Sequence, residues 1–129
     1  MKEIPAGLAN RYETVPPASH TAAAVGNIGV TVVGTPFLIG YLELAAGGAI
    51  HPYCDAGEVS VGTRIEVDHL AAALPGRPVI AEARVVEVDG RRILFEVEVR
   101  QGARLLMRGR HGRAIVKLEK LLARAAAAG

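Results

Sequence analysis

Residues 35–50 read TPFLIGYLELAAGGAI, and Glu43 is the one charged side chain among them. Thr35 and Pro36 form a helix start. Thr is a good cap, and Pro suits the first helical position because its missing N–H has no partner there. The helix is expected over 35–51, ending at His51-Pro52, with a length of roughly 22 Å past its start. Apart from Glu43 it is apolar on every side, the pattern of a helix surrounded by other elements.

From Val61 the period changes to two. Val61, Thr63, Ile65, Val67 and His69 share one face, and Gly62, Arg64, Glu66, Asp68 and Leu70 share the other. That is a half-buried strand with its apolar face on the odd residues. Val79–Val88 reads as a second strand, and Asp89-Gly90 as a hairpin turn. The next strand points Ile93, Phe95, Val97 and Val99 inward against Leu94, Glu96, Glu98 and Arg100. Gln101-Gly102 turns into a last strand, about Arg104–Lys117, followed by a C-terminal helix over 118–129. Upstream, residues 1–20 are polar and Pro-rich, with a short strand around Arg11–Val15 stopped by Pro16-Pro17. Residues 21–34, small and apolar, suit a turn of helix and a loop packed on the surface. The sum is one α+β domain over 1–129, an antiparallel sheet (59–117) curled around a central helix. Such a sheet has edges, and pairing protomers edge to edge protects them, as a homodimer or a tetramer.

Composition narrows the classes. A 13.5 kDa chain exposes roughly 6,500 Å² when folded and about 20,000 Å² when unfolded, so its 129 residues can bury one real core without disulfides or metal. Half the residues are hydrophobic, which excludes disorder, and 4% aromatic with no Trp argues against a base-stacking nucleic-acid binder. One cysteine, Cys54, excludes an internal disulfide framework and a Cys-rich zinc module. The N-terminus, MKEIPAGLANRYE, has no apolar h-region, so a cytoplasmic location is expected. Thr21–Ile50 carries only Glu43 as a charge, yet Asn27, Pro36 and six glycines break it, and no membrane span is expected. Residues 1–100 hold 8 basic and 12 acidic side chains, whereas residues 101–129 hold 7 basic and only Glu119 acidic. The basic end reads either as a solvated strand face and helix or as a site for a phosphorylated ligand. No nucleic-acid-binding signature accompanies it.

A few residues carry chemistry. Glu43, a lone carboxylate in an apolar helix, is costly unless it meets an Arg or works as an acid or base. His69 shares the apolar parity of its strand and is expected to face the helix, as a core or edge histidine or as a catalyst. Arg113 shares parity with Leu105, Met107 and Ile115, and an inward Arg needs an anionic partner. A bulge at Gly109 or Gly112 would upset that count. The start of the central helix, at Thr35, offers N–H groups and a positive dipole end to a developing oxyanion. Gly62 relieves crowding or lets a ligand approach the backbone. No nucleophile elbow, Walker loop, dinucleotide fingerprint or zinc-helix motif is present, and the histidines lack metal-ligand spacing.

Several segments occur in a telling order: Gly34-Thr35-Pro36 through Tyr41-Leu42-Glu43, then Ser60-Val61-Gly62-Thr63, Val67-Asp68-His69-Leu70 and Leu74-Pro75-Gly76. Val86-Glu87-Val88-Asp89-Gly90-Arg91-Arg92 and Gly109-Arg110-His111-Gly112-Arg113 complete it. Over about Glu13 to Lys120 the chain thereby resembles the fluoroacetyl-CoA thioesterase-like family of hot-dog-fold proteins. That resemblance implies a dimer with sites near the subunit interface, hydrolysing an acyl-CoA thioester, with coenzyme A as part of the substrate and no separate cofactor or metal. It carries catalytic roles to Thr35, Glu43 and His69, and substrate contacts to Gly62 and Arg113. Residues 21–34 are short for that family's selectivity lid and contain no Phe, so fluoroacetyl specificity is not expected and the acyl group stays open. In the implied mechanism helix-start N–H groups hold the thioester oxygen and His69 is general base or acid. Thr35 attacks or orients a water, Glu43 orients His69 or activates water, and basic residues hold the coenzyme A phosphates. The alternatives are a non-catalytic protein binding acyl-CoA or a small ligand on the same fold, a hot-dog dehydratase, and a nucleic-acid module. The dehydratase ranks lower because the helix has Glu43 and no His.

Overall fold

The computed structural model describes residues 1–128; Gly129, counted above in the C-terminal helix, lies outside the described residues. Strand β1 (Ala9–Thr14) leads through short 3₁₀ turns to helix α1 (Thr35–Ile50). Strands β2 (Glu58–His69), β3 (Val79–Asp89), β4 (Arg92–Gln101) and β5 (Arg104–Lys117) follow, and helix α2 (Leu118–Ala128) ends the fold. All five strands form one antiparallel sheet in the order β1-β3-β4-β5-β2, so β2 is an edge. The core lies between α1 and the sheet's concave face. Leu38, Leu42, Ala45, Ala46 and Ile50 pack from the helix, and Ala81, Ala83, Ile93, Phe95 and Val99 from β3 and β4. Alanines on both surfaces let helix and sheet approach closely, while Phe95 fills the middle, fully buried.

The structure corrects four expectations, each bearing on the site. First, α1 is not covered all round. Leu38, Tyr41, Leu42, Ala45 and Ala49 are buried, but Leu44 is 53% exposed and Pro36 and Gly48 lie open, so one stripe of the helix has no partner within the chain. An apolar helix that a single chain covers on one side retains a face for something else.

Second, β2 does not keep one parity. Gly62 pairs with Arg113 and Arg64 with Gly112, so Thr63 is an extra residue bulged out of the ladder. Opposed residues of an antiparallel pair share a face. Ser60 and Gly62 therefore turn inward before the bulge, and Ile65, Val67 and His69 after it. Val61 and Thr63 lose the inward places that strict alternation assigned them.

Third, the parity break in β5 is neither at Gly109 nor at Gly112. Val99 faces Met107 and Arg100 faces Leu105, which leaves Leu106 as the extra residue. Leu106 is fully buried in place of Leu105, and its carbonyl accepts the amides of Leu70 and Ala71, ending β2. Fourth, Gly34 and not Thr35 caps α1; it has extended backbone, and no side chain caps the helix. Thr35 is the first helical residue, which releases its hydroxyl for another partner.

Candidate active site

That partner is His69. Thr35 Oγ1 and His69 Nδ1 lie 2.7 Å apart, joining the first turn of α1 to the last residue of β2. When Nδ1 carries no proton, the Thr35 hydroxyl donates to it, the arrangement that raises a hydroxyl's nucleophilicity or lets it steer a water. Pro36 has no N–H, and the amides of Phe37 and Leu38 both turn to the Gly34 carbonyl. The amide of Thr35 is therefore the helix-start donor left for a ligand, at the positive end of the helix dipole.

A second cluster forms two turns further along α1. Glu43, with its side chain 40% exposed, stands 3.6 Å from the guanidinium of Arg113. Gly62 makes this approach possible: a Cβ there would lie 2.7 Å from Glu43 Oε2 and 3.3 Å from His111 Cε1. Arg113 is held on its other sides. Its Nε donates to Ser60 Oγ at 3.0 Å, its Nη2 to the Ser60 carbonyl at 3.0 Å, and its Nη1 to His111 Nε2 at 3.2 Å.

His111 carries no spacing signal in the sequence: it stands between Arg110 and Gly112 with no second histidine at a ligand interval. In the structure it is completely buried. Its Nδ1–H donates to the Arg64 carbonyl at 2.8 Å, directly beside the Thr63 bulge, and its Nε2 accepts from Arg113. These two bonds require the neutral Nδ1–H tautomer. Burial pushes the His111 pKa below 6.5; the bond to Arg64 opposes this, and the charge of Arg113 adds to it. Burial also lowers the pKa of the Arg113 guanidinium from its ordinary value, against the pull of Glu43.

Glu43 borders an open cleft of about 460 Å³, shared with His20, Phe37, Gly40, Tyr41 and Leu44. His20 stacks on Phe37, ring centres 4.4 Å apart, and its Nδ1 lies 2.6 Å from the Tyr41 hydroxyl. The segment 21–33 leaves the fold beside this wall and returns through a Thr21–Val33 bridge, displaying Ile28 at 96% exposure. No sequence pattern marked His20, Phe37 or Tyr41, which sit far apart or inside an apolar run.

Within one chain the sequence-derived residues thus fall into two groups, Thr35–His69 and Glu43–Gly62–Arg113. Thr35 and Glu43 are eight residues apart on α1, about 12 Å along its axis. The carboxylate of Glu43 faces Arg113 and makes no hydrogen bond or ion pair with His69 among the described residues. Glu43 therefore does not orient the His69 of its own chain.

Residues 17–119 match a family described as fluoroacetyl-CoA-specific thioesterase. A fluoroacetyl-CoA thioesterase from Streptantibioticus cattleyicolor is 40% identical over 93 residues, 72% of this chain and 67% of that one. A solved structure of a fluoroacetyl-CoA thioesterase superposes with a TM-score of 0.92 at 31% identity, covering 97% of each chain. A thioesterase superfamily member from Thermus thermophilus superposes at 0.89 with 31% identity, over 98% of this chain and 93% of that one.

Proposed function

The chain belongs to the fluoroacetyl-CoA-specific thioesterase family and is an acyl-CoA thioesterase of the hot-dog fold, and on that premise we propose that Thr35, Glu43 and His69 perform the hydrolysis in sites completed by two copies of the chain. The observation that carries this reading is the bulge at Thr63, which turns both Gly62 and His69 toward α1 on one open edge strand. If two β2 strands pair antiparallel about Glu66, the bulged Thr63 is skipped and Gly62 faces the partner's His69. Each Arg64 then lies opposite the partner's Asp68, and the two Glu66 side chains that meet at the axis are each paired with the Arg64 of their own strand, which offsets their repulsion. The Glu43 half of one chain thereby meets the Thr35–His69 half of the other. Free surface supports the pairing: the chain exposes 7504 Å², against roughly 6,500 Å² for a compact monomer of this mass.

In this composite site the Thr35 amide holds the thioester oxygen as charge develops on it. Thr35, hydrogen-bonded to His69, attacks the acyl carbon or holds the attacking water. In the covalent route its proton passes to His69 and on to the sulfur as the C–S bond breaks, and water then cleaves the Thr35 ester, releasing the acid and restoring the hydroxyl. In the water route the oxygen of water bonds to the acyl carbon while its proton passes to Glu43. Collapse then breaks the C–S bond, and the proton passes on to the departing sulfur. Arg113 and Gly62 fix the carboxylate that handles this proton. The acyl group occupies the cleft walled by Phe37, Tyr41 and Leu44, an apolar slot. No Phe lies in residues 21–34, so selectivity for fluoroacetyl is not expected, and the acyl group is a small one that the panel below identifies.

The test is thiol release from a panel of short, branched, aromatic and halogenated acyl-CoAs. Glu43→Gln and His69→Ala should each lower kcat by about 10²-fold or more, with fold and dimer intact. Mixed and re-formed as heterodimers, the two inactive variants should regain activity, since one of the two composite sites then has both residues. Full activity in either single variant refutes the assignment. Failure of the mixture refutes the shared site alone. Binding without release from any acyl-CoA favours a non-catalytic protein.

A further inference from the structure

The basic C-terminal segment ends in a cleft that the chemistry above leaves unused. β5 runs on from Arg113 to Lys117, about 13 Å along the strand, and α2 follows directly at Leu118. Between them is a cleft of about 360 Å³ lined by Arg91, Lys117, Lys120 and Arg124, with Val116 and Leu121 among its apolar lining. No carboxylate lines it. Lys117, Lys120 and Arg124 are exposed and make no ion pair among the described residues, while Arg91 is tied to Glu58 at 2.6 Å. Lys120 and Arg124 are four apart on the helix, a like-charge pair that weakens α2 unless an anion lies between them.

The other arginine-bearing clefts differ. One holds Arg64, Arg92 and Arg113 together with Glu87 and Asp89, and the acyl cleft holds Arg113 beside Glu43. On the convex face of the sheet Arg84, Arg108 and Arg110 share their cleft with Asp68, Glu82, Glu96 and Glu98. Near the β4–β5 turn the cleft holds only Arg77 and Arg104, and Arg104 donates to the Ala72 carbonyl. The cleft under α2 combines three unpaired cationic side chains and no lining carboxylate with the apolar surface of Val116 and Leu121, which matches a phosphorylated nucleoside: charge for the phosphates and apolar surface for the base.

We propose that this cleft binds the 3′-phosphorylated ADP end of the coenzyme A substrate, an inference that rests on the thioesterase reading. Lys117, Lys120 and Arg124 hold the phosphates, and the pantetheine arm leads from there toward a catalytic cleft. The variant Lys117→Gln/Lys120→Gln/Arg124→Gln changes only exposed side chains. Its KM for an acyl-CoA should rise on the order of tenfold at low salt, and the difference should shrink as salt screens the wild type. The same acyl group on pantetheine, which lacks the nucleotide, should show no such rise. Calorimetry with adenosine 3′,5′-bisphosphate should detect binding to the wild type and lose it in the variant. An unchanged KM for acyl-CoA overturns the proposal, as does a rise that appears equally with acyl-pantetheine. It is also overturned if Arg77→Gln/Arg104→Gln produces the nucleotide-dependent rise instead. If no thioester of either kind turns over, the thioesterase reading fails, and the bisphosphate titration still decides the cleft.

Discussion

Replacing Gly62 by alanine adds one methyl group where the site is tightest. That Cβ would lie 2.7 Å from Glu43 Oε2 and 3.3 Å from His111 Cε1. Ordinary contacts of a methyl carbon lie near 3.5 Å, so the carboxylate must retreat by roughly 0.8 Å. Retreat is easy for the tip of a long side chain that is 40% exposed, and His111 needs only a small adjustment. The cost in stability is therefore small, about 1 kcal/mol or less. With Glu43 in the proposed role the cost in rate is large, because a displacement of this size at a reacting group lowers turnover by about 10²-fold. The expected outcome is a variant with nearly wild-type urea midpoint, unchanged oligomeric state and kcat for acyl-CoA hydrolysis reduced about 10²-fold. Wild-type kcat in a folded Gly62→Ala protein would refute the reasoning, since Glu43 would then tolerate displacement from Arg113. Loss of the fold would refute it differently, by showing that the glycine serves β2 rather than the carboxylate.

Further predictions concern the buried supports. Truncating His111 to alanine leaves the Arg64 carbonyl and an N–H of Arg113 without their partner and should cost about 1–3 kcal/mol in urea unfolding. His111→Gln restores an acceptor near Nε2 for Arg113, whereas His111→Asn restores only a donor for Arg64; thiol release should recover more in the Gln variant, and the reverse order would sink the positioning role. Since the folded state lowers the pKa of His111, the unfolded chain takes up its proton first; stability should decline as pH falls through about 6.5, and His111→Gln should flatten that limb in urea titrations. Glu58 is held at about 2 by the Met1 ammonium, then by Arg91. Its contribution is present above the ordinary 4.5 and is lost as pH falls from there toward 2, so Glu58→Gln should remove this lower limb and leave the upper one.

Much of this was legible because it depends on local pattern. The alternation Ile93, Phe95, Val97, Val99 appears in the sheet as read, since β4 pairs on both sides and keeps its alternation through these four residues. The apolar run at 35–50 forms the helix because no charge but Glu43 opposes its burial. The candidate residues were visible one at a time, as a carboxylate, a histidine and an arginine that polarity places badly. What they touch was not visible. A bulge inserts one residue without a composition signal, and those at Thr63 and Leu106 reset which neighbours face α1. Only the folded chain turns Thr35 to His69 and Glu43 to Arg113, and only it encloses His111 between them and the bulge. By itself, then, the sequence determined the helix, the strands and the inventory of reactive groups, because periodicity and burial act over a few residues. Tertiary structure alone decided the pairings, because hydrogen bonds and ion pairs between residues 34 to 70 positions apart depend on register, and register changes with a single bulged residue.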